Sequence, residues 1–284
     1  MARKPIQKKS PPPAASPVPL PVASLAGGKG ANAPQMASPS YRLAALDQDF
    51  VLGDSMRGVR FLLEYAKVEE ELDRWGVRST VVVFGSARFS HSGPPEHRRW
   101  YNDAREFARI ASEKGGALIA NRHPRDNVIA TGGGPGIMEA ANRGASDAGA
   151  PSIGYNITLP MEQEPNAFQT PDLTFRFHYF AMRKMHFAMR ANALVVFPGG
   201  MGTLDELFEV LALRQTGKAP PIPIVLYGET FWRDVINFDA LVRHDVISPE
   251  DLTLFRYAET PEQAWDALVD GGVLTGWLQE QHTT

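Results

Sequence analysis

The sequence predicts an α/β protein, a single doubly wound, Rossmann-like parallel sheet flanked by helices and preceded by a disordered tail. Three observations carry that expectation. From Thr80 onward, short apolar runs alternate with segments of helical period, the pattern of parallel strands buried on both faces and joined by crossover helices. Glycines fall at the carboxyl ends of those runs, where open parallel sheets bind their ligands. The first 40 residues differ in composition from everything that follows.

That opening segment comes first in the chain and is read first. Residues 1–46 hold six basic residues (Arg3, Lys4, Lys8, Lys9, Lys29 and Arg42) and no acidic one, and nine of the 23 prolines precede residue 40. Residues 1–40 are therefore expected to be a disordered Pro/Ala/Ser-rich tail. Its prolines break up both the amphipathic helix of a transit peptide and the apolar core of a secretory signal. Order is expected over 41–284. It starts with a helix over 54–75, where Phe61, Leu62, Tyr65, Val68 and Leu72 recur at helical spacing and Gly76 supplies the stop.

Strands are predicted over 80–84, 127–130, 152–157, 193–197 and 222–227, with a weaker extended segment over 174–179. Helices are predicted over 95–114, 136–148, 180–190, 202–216, 231–243 and 261–268. Residues 47–284 hold 23 basic against 32 acidic residues, an acidic body that disfavours nucleic acid as a partner. No apolar run approaches the roughly 18 residues of a membrane span. Cysteine is absent, which removes disulfides, zinc–thiolate sites, iron–sulfur clusters and thiol nucleophiles. The seven histidines show no metal-ligand spacing, so no metal is expected. A cytoplasmic location is the expectation.

Three strand ends carry the chemistry: Phe84-Gly85-Ser86-Ala87-Arg88, Thr131-Gly132-Gly133-Gly134-Pro135-Gly136 and Phe197-Pro198-Gly199-Gly200-Met201-Gly202-Thr203. Glycine lets the backbone approach a ligand, and the next helix presents unpaired N–H groups, so each loop is a candidate anion site. None has the Walker lysine of a P-loop, and the triple-glycine loop misses the dinucleotide spacing. Glu206 lies three residues beyond Thr203. That pair fits a Ser/Thr-x-x-Glu capping box as well as it fits a reactive carboxylate beside a ligand. Asp205 and Glu209 read as solvated or helix-supporting carboxylates. Arg183 and Lys184 are adjacent on the helix after the extended segment. Neighbouring helical residues point about 100° apart, so one of the two is expected to face the site.

Gly132-Gly133-Gly134-Pro135-Gly136-Ile137-Met138-Glu139-Ala140-Ala141-Asn142, followed by Met182-Arg183-Lys184 and by Pro198-Gly199-Gly200-Met201-Gly202-Thr203-Leu204-Asp205-Glu206, resembles the Lonely Guy (LOG) family. The resemblance runs over about 80–268. Members are cytokinin-activating phosphoribohydrolases and related nucleoside 5′-monophosphate nucleosidases, often mislabelled lysine decarboxylases. The resemblance implies hydrolysis of a nucleoside 5′-monophosphate, AMP or a cytokinin riboside 5′-monophosphate, to free base and ribose 5-phosphate. It places the family's essential arginine on Arg183 and its essential glutamate on Glu206. Its phosphate- and nucleotide-binding loops fall on Gly85, Ser86, Gly133, Gly134, Gly199, Gly200, Gly202 and Thr203, with Lys184 beside them. It implies no cofactor and a homodimer or higher homo-oligomer. Where short plant members carry His-Glu before Arg-Lys, this chain has Ala181-Met182, and with Gln215-Thr216-Gly217-Lys218 it looks like the longer bacterial branch. Two rivals stand beside this reading. A non-catalytic nucleotide or molybdopterin carrier would use the same frame and loops without needing Arg183 and Glu206 together. A pyridoxal-phosphate decarboxylase would need a Schiff-base lysine, for which only Lys184 and Lys218 lie near the loops.

Overall fold

The computed structural model describes residues 30–118, 124–159 and 164–273. The chain divides into two compact units, 1–70 and 71–284. The first is helical, with α1 (Ala33–Ala37), α2 (Gln48–Leu52) and α3 (Arg57–Arg74), the last running on into the second unit. Residues 1–29 of the expected tail lie outside the described residues. Residues 33–41 form α1 and a 3-10 turn, Pro39–Tyr41. The Asp47 carboxylate caps α2 by accepting from Phe50 N–H, and Arg60 donates to the carbonyls of Val51 (2.9 Å) and Gly53 (2.6 Å). The stop of α3 is where the spacing predicts it: Gly76 takes φ 64°, and Val77 N–H reaches back to Leu72 O at 2.9 Å.

The second unit contains a seven-stranded, all-parallel sheet. Its strands are β1 (Thr80–Phe84), β2 (Val128–Thr131), β3 (Ser152–Ile157), β4 (Thr174–Phe177), β5 (Ala191–Val196), β6 (Ile224–Tyr227) and β7 (Arg256–Ala258), in the order β4-β3-β2-β1-β5-β6-β7. The chain winds outward from β1 to β4, returns to the other side of β1 and winds out to β7. The topological switch therefore lies between β1 and β5, which places the three glycine loops after the central strands β2, β1 and β5. The weak extended segment is β4, as expected. The seventh strand is not among the predicted ones.

The helices are α4 (Pro95–Lys114), α5 (Ile137–Asp147), α6 (Phe180–Met189), α7 (Met201–Gln215), α8 (Glu229–Val235), α9 (Phe238–Arg243) and α10 (Pro261–Asp270). The single helix expected over 231–243 is broken in two. The Asn237 side chain accepts from Ala240 N–H at 2.9 Å and so begins a new helix there. Val81, Val83, Ile129, Val195 and Val225 from one sheet face share a core with Tyr101, Phe107 and Ala108 of α4, Ile137 and Ala141 of α5, and Trp265 and Leu268 of α10. Among the described residues no helix is long and apolar enough to cross a membrane.

Candidate functional site

One residue ties the three glycine loops together. Ser86 N–H donates to Pro198 O in the loop after β5, and Ser86 O accepts from Ile137 N–H at the head of α5, both at 3.0 Å. Its hydroxyl accepts from Arg88 N–H at 3.1 Å, so the polar backbone of Ser86 is engaged within the loops themselves. The close approach demands glycine. Gly136 caps α5 with φ 72°, and a methyl group there would sit 2.3 Å from Ser86 O. In the triple-glycine loop Gly133 takes φ 75° and donates to Thr131 Oγ1 at 3.0 Å. The Thr131 hydroxyl in turn donates to the buried Asn142 Oδ1 at 2.7 Å.

Helix α6 presents its two cations in different directions, as its 100° pitch requires. Arg183 turns to the triple-glycine loop. Its Nε donates to Tyr155 O at 2.8 Å at the end of β3, and its guanidinium lies so close to Gly132 that any side chain there would collide with it. Lys184 turns to α7, where its ammonium pairs with Asp205 (2.8 Å) and Glu209 (3.0 Å). Those two carboxylates thus hold α6 to α7 rather than standing in solvent alone. Burial pulls the Lys184 pKa down, but the hydrogen bonds it donates to Asp205 and Glu209, with the charges of the neighbouring carboxylates, outweigh it and hold the ammonium above its ordinary range.

The head of α7 removes one of the two readings of Glu206. The helix starts at Met201 with Gly200 as its N-cap, and no side chain caps it. Thr203 is therefore the third residue inside the helix, packed against Gly199, and cannot be the cap of a Thr-x-x-Glu box. The capping-box reading is corrected. Glu206 lies one turn deeper and is only 6% exposed, and among the described residues no hydrogen bond reaches its carboxylate. Burial pushes its pKa up to about 7 against the opposing pull of the Lys184 and Arg183 charges. Burial likewise lowers the Arg183 pKa, with the Glu206 charge acting against it. Glu206 is thus a buried carboxyl whose pKa is raised to about 7, with the Arg183 and Lys184 charges acting on it and a glycine loop one turn before it.

A cleft of about 140 Å³ opens beside Arg183, with Gly132, Met138, Asn156 and Phe180 on its walls. A larger one, about 380 Å³, is lined by Arg233, Phe238, Phe255 and Tyr257 and contains none of the glycine-loop residues. Of the two, the smaller cleft is the one that contains Gly132 of the triple-glycine loop and the largely buried Arg183. Asn156, Met138 and Phe180 were not among the expected site residues. Only Asn156 leaves a trace in the sequence, as an amide near the end of β3. Among the described residues no group of three or more His, Asp or Glu is placed to hold a metal ion.

The family model described as possible lysine decarboxylase matches residues 138–268, a span that includes Arg183, the loop after β5 and Glu206. A probable cytokinin riboside 5′-monophosphate phosphoribohydrolase of Oryza sativa subsp. japonica, LOGL6, is 26% identical over 174 residues, covering 60% of this chain and 65% of the relative. A second from the same plant, LOGL9, is 32% identical over 160 residues, covering 56% of this chain and 66% of the relative. The chain thus spans just under two-thirds of the length of these relatives. Among solved structures, the molybdenum cofactor binding protein from the phototrophic bacterium Rippkaea orientalis aligns with a TM-score of 0.45 at 18% identity, covering 68% of this chain and 96% of that one. With the glycine loops at the switch point of a doubly wound sheet and the matched span holding Arg183 and Glu206, the chain is similar to the LOG family over this span.

Proposed function

We propose that the protein hydrolyses the N-glycosidic bond of a nucleoside 5′-monophosphate, AMP or a cytokinin riboside 5′-monophosphate, releasing the free base and ribose 5-phosphate. The observation that carries this reading is Glu206, a buried carboxyl held near neutrality, with no capping duty, next to Arg183 and one turn beyond a glycine loop. The names of the curated relatives support the same reaction.

As the base departs, positive charge builds on the ribose, and a carboxylate close to the sugar stabilises it. Water adds to C1′ as the C1′–N bond breaks. One of its protons stays on the new hydroxyl, and the other passes to Glu206 and on to the departing base or to solvent. Arg183 binds the departing base or fixes the anionic part of the substrate. Gly85, Ser86, Gly133, Gly134, Gly199, Gly200, Gly202 and Thr203 form the walls that hold phosphate and nucleotide. Lys184 fixes the α7 carboxylates beside them. Holding the 5′-phosphate remote from the reacting bond turns binding energy into orientation of the sugar.

The test is chromatographic detection of free base from a panel of nucleoside monophosphates that includes AMP and isopentenyl-modified adenylate, with adenosine as the control. Base is expected from the monophosphates, with adenosine slower by a factor of about a hundred or more, since several charge-assisted hydrogen bonds are lost with the phosphate. Equal turnover of AMP and adenosine would remove the phosphate from the reading. Tight binding without any base release would make the protein a nucleotide carrier.

A further inference from the structure

The segment 164–170, between β3 and β4, folds back over the triple-glycine loop and takes hold of its carbonyl oxygens. Gly133 O accepts three hydrogen bonds, from Asn166 N–H (2.9 Å), Asn166 Nδ2 (3.1 Å) and Gln169 Nε2 (2.7 Å), and Gly134 O accepts a further one from Asn166 Nδ2 (3.0 Å). The clamp is itself held. Gln169 is only 6% exposed, its Oε1 accepts from Asn156 Nδ2 at 3.0 Å, and it occupies the space a side chain on Gly154 would fill. Asn166 Nδ2 also reaches Asn142 Oδ1 at 3.0 Å.

In a trans peptide the N–H of one residue points opposite to the carbonyl of the residue before it. With Gly133 O pinned toward the 164–170 segment, the N–H of Gly134 is turned the other way. Gly134 is buried, and among the described residues no acceptor meets that N–H. Buried backbone donors are rarely left unmet, because each costs about as much as a lost hydrogen bond. Four hydrogen bonds spent on fixing two consecutive glycine carbonyls are more than a turn needs to close. They make sense where the amide between them must keep one direction.

We infer that Gln169 and Asn166 are positioning residues, which clamp the Gly133 and Gly134 carbonyls so that the Gly134 N–H stands as a fixed donor to the phosphate of the substrate. The inference rests on the proposed phosphate site and adds the residues that set its geometry. Gln169 and Asn166 act through the glycine backbone and touch no substrate atom.

The experiment measures binding of inorganic phosphate and ribose 5-phosphate by calorimetry to the full chain, to Gln169→Met and to Asn166→Asp, beside melting curves and the KM and kcat for AMP. Each variant keeps the size of the side chain and removes its donors to the carbonyls. The expected result is anion binding weaker by about tenfold in each, matched by a rise in KM larger than any fall in kcat. A role in folding alone would lower melting temperature and active fraction while leaving KM and anion affinity unchanged. Glycine-labelled amide spectra of the unaltered protein give a second readout that does not depend on how the variants fold: phosphate should shift the Gly134 resonance. If the parent binds phosphate while both variants bind it equally well, or if the Gly134 amide ignores the anion, the clamp inference fails and the phosphate site survives. If the parent binds neither anion, the phosphate site and the clamp fall together.

Discussion

The two richest glycine loops look alike in sequence and differ in what their glycines are for. In the loop after β2 the glycines answer to the protein's own geometry. Gly133 and Gly136 take positive φ, and a side chain at either would run into Asn156 or into the backbone of Ser86 and Ala87. In the loop after β5 only Gly199 is crowded, by the side chain of Thr203. Gly200 and Gly202 have ordinary backbone angles and nothing within 4 Å of where a side chain would begin. The protein's own packing requires Gly133 and Gly136 of the first loop and does not require Gly200 and Gly202 of the second. The open loop also leads straight into α7, the helix that carries the buried Glu206. The comparison therefore marks the β2 loop as a rigid wall and the β5 loop as one whose later glycines have open space beside them.

The largest effect is expected at Glu206, and it separates rate from stability. Glu206→Gln keeps the shape and loses the charge, so base release should fall by about a hundredfold or more while nucleotide binding persists. The same change should stabilise the fold above neutrality. With a folded pKa of about 7 against 4.5 for an unperturbed glutamate, the folded state binds more protons than the unfolded state between those values. Stability is thus lost as pH rises through that window, and the cost of the buried charge reaches about 3 kcal/mol above it. The glutamine variant should gain up to that amount at pH 8 and nothing below about pH 4.5, measured by denaturant titration. The parent's rate should climb with pH through about 7 as the carboxylate forms, a limb that Glu206→Gln lacks. A variant with normal turnover and no stability gain would return Glu206 to an ordinary helix residue.

Next in size is Gly133→Ala, which attacks the rigid wall. The new methyl group must hold φ near 75° and displace Asn156, whose amide donates to Gln169 Oε1 and to the carbonyls of Phe175 (3.0 Å) and Gly154 (3.3 Å). Strain and broken buried hydrogen bonds together should cost about 2–4 kcal/mol, read as a lower melting temperature. A melt unchanged from the parent would mean that the wall is softer than its hydrogen bonds imply.

What the sequence made legible follows from where the physical signal is local. The apolar runs and glycine stops locate five of the seven strands, because strands buried on both faces must be apolar throughout, and the alternation of Phe with polar residues locates the edge strand β4. The strand it missed, Arg256–Ala258, is three residues at a sheet edge, grading from exposed to buried, with no run to detect. The spacing predicts one helix over 231–243 because apolar character continues across Asn237, whose side chain accepts from Ala240 N–H and begins a second helix there. The Thr203-x-x-Glu206 spacing admitted a cap because a helix start cannot be fixed from spacing alone. The structure starts the helix at Met201, with Gly200 as its N-cap, and packs Thr203 on Gly199. Which of Arg183 and Lys184 faces the glycines depends on how α6 sits on β3, a tertiary fact. Asn166 and Gln169 lie in an irregular segment, and nothing periodic marks an amide that will reach 33 or 36 residues back along the chain.

The smallest expected effect is the sharpest on the comparison itself. Gly202 is the second residue of α7, its backbone angles suit any residue, and a methyl group there meets no protein atom within 4 Å. If the glycine served the fold, replacing it would harm the fold. Since it does not, Gly202→Ala should melt at or slightly above the parent temperature, because alanine is the better helix former by up to about 1 kcal/mol. Yet the methyl group would stand beside the unpaired N–H groups at the head of α7, where the open loop is proposed to hold the nucleotide. The expected cost is a several-fold rise in KM for AMP with little change in kcat, the signature of lost uniform binding. Steady-state kinetics and a melting curve on one variant are enough. A lower melting temperature would show that the β5 loop is as constrained as the β2 loop, and an unchanged KM would show that the space beside Gly202 serves no ligand.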